Sequence, residues 1–351
     1  MSFKSKINHY RRTITKALTG GLSKGILDEN TKIDPNFQLN RVLISRPNQR
    51  LGNTLLITPL VQEIVKANPN VKIDLFVKGK VAPIVFQNYP QIDQIIELPK
   101  KPFKDLGLYL KTWFQLRKFK YDLVINVTEE SASGRISANI AKSKYKILGK
   151  EFLTDENAED QIHYGKVSVY QFRQFLKHIT GKTNFGDYPS LNLQLSEKEL
   201  EDAKKMIDDI TKNSTKKTLA FFTYATGNKC YTADWWERFY NEFYPKYKDE
   251  YNLIEILPVE DISMLNRKLP TFYSKDVREI AAVMHLCEFV VAADSGMMHL
   301  SCAAPANTIG LFMSDNFFPK YKPFGKGNSA ILVQNDEPAT EVLQNIEAIL
   351  K

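Results

Sequence analysis

Three short segments of the chain carry residue types that can hold a charged, hydroxylated ligand. The first is Ala293-Asp-Ser-Gly-Met-Met-His299. The apolar run before it reads as a strand, Asp294-Ser295-Gly296 as a turn, and a helix is expected to open at Gly296 with bare N–H groups. Such an end offers backbone donors and roughly half a positive charge, which suits a diphosphate. His299 falls in the first turn of that helix and can reach the same anion. The second segment is Phe222-Thr-Tyr-Ala-Thr-Gly-Asn-Lys229. Gly227 gives the turn freedom, Thr223 and Thr226 bring hydroxyls, and Lys229 is a compact charge suited to phosphate. The third is Arg46-Pro-Asn-Gln-Arg-Leu-Gly-Asn53. Gly52 permits close backbone approach and Arg46 and Arg50 add charge, so this turn suits an anion or a polar sugar. It is neither a Walker loop nor a GxGxxG fingerprint.

Each segment follows a strand and precedes a helix. Apolar strand-sized runs at 41–45, 72–77, 92–98 and 121–127 alternate with helical patterns at 54–68, 81–88, 104–118 and 133–141. The pattern breaks at 181–189, where Gly181, Gly186 and Pro189 mark a linker. It resumes with strands at 218–222, 252–257, 288–293, 308–313 and 329–333, and helices at 233–243, 276–286, 296–303 and 341–350. Asp276 reads as a helix cap, and Trp235 and Trp236 read as core residues. Near-continuous apolar strands alternating with helices predict parallel sheets covered on both faces. The fold class is therefore α/β, two Rossmann-like doubly wound domains in series: 41–182 and 190–351, after a basic segment 1–40. Ligands of such sheets sit beyond the carboxyl ends of the strands, so the cleft between the domains is the expected active site.

The chain has 351 residues, 43% hydrophobic and 25% charged. That composition excludes disorder and collagen-like repeats, and no apolar run approaches the roughly 18–20 residues that span a bilayer. Three scattered cysteines imply no disulfide framework, and no secretory signal is visible, so a reducing, cytoplasmic compartment is expected. Residues 1–180 carry 29 Lys/Arg against 16 Asp/Glu, a net +13, whereas residues 181–351 carry 19 against 24, a net −5. The basic half is expected to meet something anionic: nucleic acid, anionic lipid and a phosphorylated substrate all qualify. In the first 27 residues six Lys/Arg accompany Phe3, Ile7, Tyr10, Ile14 and Leu18 at helical spacing. That is either a helix on an anionic membrane surface or one packed on its own protein. No RNP, HTH or zinc pattern appears, so nucleic acid is not the expected partner.

The order Arg50-Leu-Gly-Asn-x-x-x-x-x-Pro59, Thr226-Gly-Asn-Lys229, Asp294-Ser-Gly-x-x-His-Leu300 resembles glycosyltransferase family 9, the heptosyltransferases of lipopolysaccharide core assembly. The resemblance spans roughly 41–350 and is most specific at Asp294–His299. It implies a GT-B fold, with a donor-binding C-terminal domain and an acceptor-binding N-terminal domain. It also implies inverting, metal-independent transfer of a sugar, heptose from an ADP-linked donor, to a phosphorylated, lipid-linked glycan such as the lipopolysaccharide core. No cofactor and no metal site are implied, and the enzyme is expected in the cytoplasm, peripheral on the inner membrane. Carried over, Thr226, Lys229, Glu260, Asp294, Ser295, Gly296 and His299 bind the donor, and Arg46, Arg50 and Gly52 the acceptor.

The family's Gly-Asp is here Gly52-Asn53, and its Thr-Thr pair is Tyr224-Ala225. The missing Asp is the family's presumed general base, and an amide accepts no proton at neutral pH. Asn53 can still orient the acceptor hydroxyl. Glu129 and Glu130 follow a strand end and are the candidate substitutes, Glu129 being the one chosen here. The alternative is a nucleotide-sugar binding protein of the same fold without transferase activity.

Overall fold

The computed structural model describes residues 34–99, 106–154 and 158–350. The basic segment 1–27 lies outside them. The chain divides into two units: residues up to Gln49 with Pro59–Pro189, and Arg50–Thr58 with everything from Ser190 on.

Among the described residues, the first unit holds a parallel sheet of β1 (Arg41–Arg46), β2 (Lys72–Lys78), β3 (Ile92–Leu98), β4 (Lys120–Asn126) and β5 (Lys142–Ile147) in the order β3-β2-β1-β4-β5. Val42, Leu43 and Ile44 of β1 are fully buried because helices cover both faces. The chain builds outward from β1 through β2 to β3, then crosses back to place β4 on the other side. The β1/β4 boundary is the point where the winding reverses. Opposite that end, Asp74 lies fully buried between Arg41 and Tyr121, whose hydroxyl donates to it at 2.8 Å. Burial pushes the Asp74 carboxyl up, against the pull of those two donors.

In the second unit β6 (Thr218–Phe222), β7 (Asn252–Ile256), β8 (Thr271–Phe272), β9 (Phe289–Ala293), β10 (Thr308–Phe312) and β11 (Ser329–Leu332) form a parallel sheet ordered β11-β10-β9-β6-β7-β8. Every residue of β6, β9 and β10 is buried. Here the winding reverses between β6 and β9. One side of the core is aromatic: Trp235 and Trp236 are wholly buried, and Trp235, Phe239 and Phe243 stack in series along the helix Ala233–Tyr247. Among the described residues, no helix is long and apolar enough to cross a membrane.

Several elements differ from the sequence expectation. The helix expected over 54–68 is two, Leu51–Leu55 and Thr58–Ala67. Pro59 cannot donate to the preceding turn, and the Thr58 hydroxyl donates to the Leu55 carbonyl at 2.8 Å instead, so the helix restarts. Between 142 and 217 the structure adds β5 and the helices Glu159–Ile162, Val167–Thr180 and Glu197–Ile210. The segment read as a linker follows Gly181, which ends the helix Val167–Thr180 at φ 74°. Arg173 donates to the Gly186 and Asp187 carbonyls and pairs with buried Glu63, fixing that segment's path.

Candidate functional site

In the second unit β6 and β9 lie side by side, Phe222 opposite Ala292, so their following loops leave the sheet together at its winding reversal. A doubly wound sheet opens a ligand crevice at such a point. Beyond β6, Gly227 takes φ 70°, and a single 3-10 turn, Gly227–Lys229, presents Lys229. Its ammonium lies 2.6 Å from Asp294 Oδ2, at the end of β9. The Asp294 side chain is 10% exposed and that of Lys229 40%. Asp294 thus anchors one N–H of a cation that has three to offer. The Phe317 and Tyr321 rings stand 5.5 and 5.7 Å from the same nitrogen. Sequence reading missed these two, because the short helix Phe318–Tyr321 that positions them carries no periodic pattern.

Asp294 extends the β9–β10 ladder through its N–H, which donates to the Leu311 carbonyl at 2.9 Å. Ser295 caps the helix Gly296–Ala303, accepting from the Met297 N–H at 3.3 Å. The helix start expected to be bare is therefore partly satisfied by its own cap. His299 is 5% exposed, its ring 6.1 Å from that of Tyr321.

A Cβ placed on Gly52 would stand 2.7 Å from His299 Cδ2, and one on Gly296 would stand 3.3 Å from the Gly52 nitrogen. Two glycines thus let the starts of the helices Leu51–Leu55 and Gly296–Ala303 touch. Arg50, Gly52 and Asn53, expected on the acceptor side, are brought into one unit with the donor candidates. Asn53 is half-buried and Arg50 exposed.

Glu260 is exposed in the turn after β7, and Thr226 is exposed beyond β6. A residue that sequence reading passed over ties their two loops together. Glu255, fully buried in β7, accepts from the Thr223 hydroxyl at 2.6 Å and from that of Ser263. An acid inside the apolar strand Asn-Leu-Ile-Glu-Ile was the signal available.

In the first unit, Arg46 ends β1 and its guanidinium donates to the Thr128 hydroxyl, beyond β4, at 3.1 Å. Glu129 and Glu130 follow, both exposed. Asn126 holds this loop by donating to the Thr128 and Leu148 carbonyls. Arg135 donates to the Glu129 carbonyl, which leaves the Glu129 carboxylate on the surface. These candidates stand at the winding reversal of the first sheet. Among the described residues, no group of three or more His, Cys, Asp or Glu side chains is gathered as for a metal ion.

Residues 275–348 match the model of glycosyltransferase family 9 (heptosyltransferase). The match contains the Asp294–His299 loop and bears out the resemblance read from the sequence. No curated protein matches the chain. Among solved structures, a family 9 glycosyl transferase from Veillonella parvula is similar at 19% identity and a TM-score of 0.67, over 91% of this chain and 92% of that one. The E. coli heptosyltransferase WaaC, solved with ADP, is similar at 16% identity and 0.63, over 88% and 99%. The E. coli ADP-heptose lipopolysaccharide heptosyltransferase II is similar at 14% and 0.62, over 89% and 98%. At these identities the likeness is one of fold, and it bears out the α/β architecture of GT-B type. Together the family match and the fold support a glycosyltransferase.

Proposed function

We propose that the chain transfers a sugar, heptose from ADP-heptose, to a phosphorylated lipid-linked glycan of the lipopolysaccharide-core kind, with inversion and without a metal ion. The observation that carries this reading is the half-exposed Lys229 ammonium anchored by Asp294 at the winding reversal of the second sheet. In the reaction, an acceptor hydroxyl attacks the anomeric carbon from the face opposite the diphosphate. The bond from that carbon to the diphosphate oxygen breaks, and the hydroxyl proton passes to a base. Charge developing on the leaving diphosphate is met by Lys229 and the N-terminus of the helix Gly296–Ala303, an arrangement set before the reaction begins. Glu260 binds the ribose. Arg46 and Arg50 meet the acceptor's anionic groups. Asn53 orients the hydroxyl and Glu129 takes the proton.

Turnover of ADP-heptose is expected to persist in EDTA; a strict requirement for a divalent cation would refute the metal-free part of this reading. Glu129→Gln is expected to lower kcat by roughly 10²–10⁴-fold with little change in KM, as for loss of a general base. Asn53→Asp separates the reading from a binding protein of the same fold. If the wild type is inert and the variant active, the wild-type chain binds its donor without transferring it.

A further inference from the structure

The geometry points to a docking surface for an anionic lipid bilayer on the helix Leu106–Gln115 of the first unit and the turn that follows it. One face of this helix is tied into its own unit. Thr112 and Leu116 are buried, and the Trp113 ring lies 5.2 Å from that of Phe76 in β2. The opposite face carries Phe114 at 71% exposure, with Leu108 at 50% on its flank. Exposed Lys111 precedes Phe114 by three residues, and exposed Arg117 and Lys118 follow it. The turn after the helix is closed by the Arg117 N–H donating to the Phe114 carbonyl at 3.0 Å, and the Lys118 ammonium stands 5.0 Å from the Phe119 ring.

A single exposed apolar side chain is ordinary on a protein surface. This one differs in its setting. From 106 to 121 the sequence holds Lys111, Arg117, Lys118 and Lys120 and no Asp or Glu. An aromatic that projects outward, with exposed cations on the same helix and its following turn and no acid among them, matches a headgroup layer. The ring enters the acyl boundary while the ammonium and guanidinium groups stay among anionic headgroups. A protein partner for so apolar a projection would need its own acidic rim, and charge complementarity is more simply met by the uniform negative potential of a bilayer. The inference goes beyond the proposed reaction and needs none of its chemistry. Its test reads binding to vesicles, so it can fail while the transferase reading stands, and the reverse.

The chain has three tryptophans, and Trp235 and Trp236 are wholly buried in the second unit. Trp113, half-buried beside Phe114, is thus the local reporter. The full chain is mixed with phosphatidylcholine vesicles containing phosphatidylglycerol, their acyl chains brominated, and with pure phosphatidylcholine vesicles. Binding to the anionic vesicles is expected with quenching of tryptophan emission, and little binding to the neutral ones. Phe114→Ser and, separately, Lys111→Glu with Lys118→Glu are each expected to lower the vesicle partition coefficient by roughly tenfold or more. Their melting temperatures should be little changed, since Lys111, Phe114 and Lys118 are all exposed. Absence of binding, binding without quenching, or variants that bind as the wild type does would each overturn the proposal. The last two outcomes would place contact elsewhere on the chain.

Discussion

At Gly52, a single methyl group decides whether two helix starts can meet. Gly52→Ala would drive a Cβ to within 2.7 Å of the His299 ring, a distance real packing does not tolerate. Overpacking of this kind costs about 1–3 kcal/mol, so the variant is expected to unfold several degrees lower in a thermal melt, with ADP affinity reduced. An unchanged melt would mean that the ring gives way freely. Glu255 makes a second demand. Glu255→Ala leaves the buried Thr223 hydroxyl and the half-buried Ser263 hydroxyl without their acceptor, at a cost of roughly 1–3 kcal/mol for Thr223, which water cannot reach. Glu255→Gln keeps the shape and one acceptor oxygen, so it should recover much of the loss in chemical denaturation. The loop at 293–299 and Lys229 were legible in the sequence because their chemistry rides on local spacing. Glu255, Phe317 and Tyr321 were not, because their roles arise from strands and helices that only the fold brings near.

Among the elements, the helix Glu197–Ile210 shows how a charged segment is held. Ser196 and Glu199 form a reciprocal capping box, and the Glu199 carboxylate also accepts from Arg278, on the helix Val277–His285. Burial alone would raise the Glu199 carboxyl, but Arg278 and the Ser196 donors outweigh it and hold the group at about 2, below its ordinary 4.5. A depressed carboxylate contributes stability that is fully present above pH 4.5 and lost as pH falls toward 2. Glu199→Gln should therefore lower the unfolding free energy near pH 7 and flatten its decline between pH 4.5 and 2; parallel pH curves for the two proteins would contradict this. The helix went unread in the sequence because nine of its fourteen residues are charged, although Leu200, Ala203, Ile207 and Ile210 recur at helical spacing. The edge strand Lys-Ser-Lys-Tyr-Lys-Ile was missed likewise, since lysines that keep an edge from pairing also erase its apolar signature. By contrast β6, β9 and β10 are buried on both faces and read directly as apolar runs.

For the whole molecule, the sequence alternation predicted two parallel sheets, and the strand orders place a winding reversal within each. Those two points are where the candidate residues cluster: Arg46 and Glu129 at β1/β4, Lys229 and Asp294 at β6/β9. The charge split, +13 before residue 181 and −5 after it, divides the chain in the same way. What the linear sequence did not reveal is that residues 50–58 group with the second unit, because that depends on the close approach of Gly52 and Gly296. The central claim is that the second sheet's reversal point binds a nucleoside diphosphate through Lys229 and the loop after β9. Calorimetric titration of the wild type and Lys229→Ala with ADP, UDP, GDP and CMP tests it directly. The account predicts selective binding of ADP by the wild type, weakened by roughly 10–100-fold in Lys229→Ala, the range for a lost charge-assisted contact. Equal ADP affinity in the two proteins, or no nucleotide binding by the wild type, would contradict it.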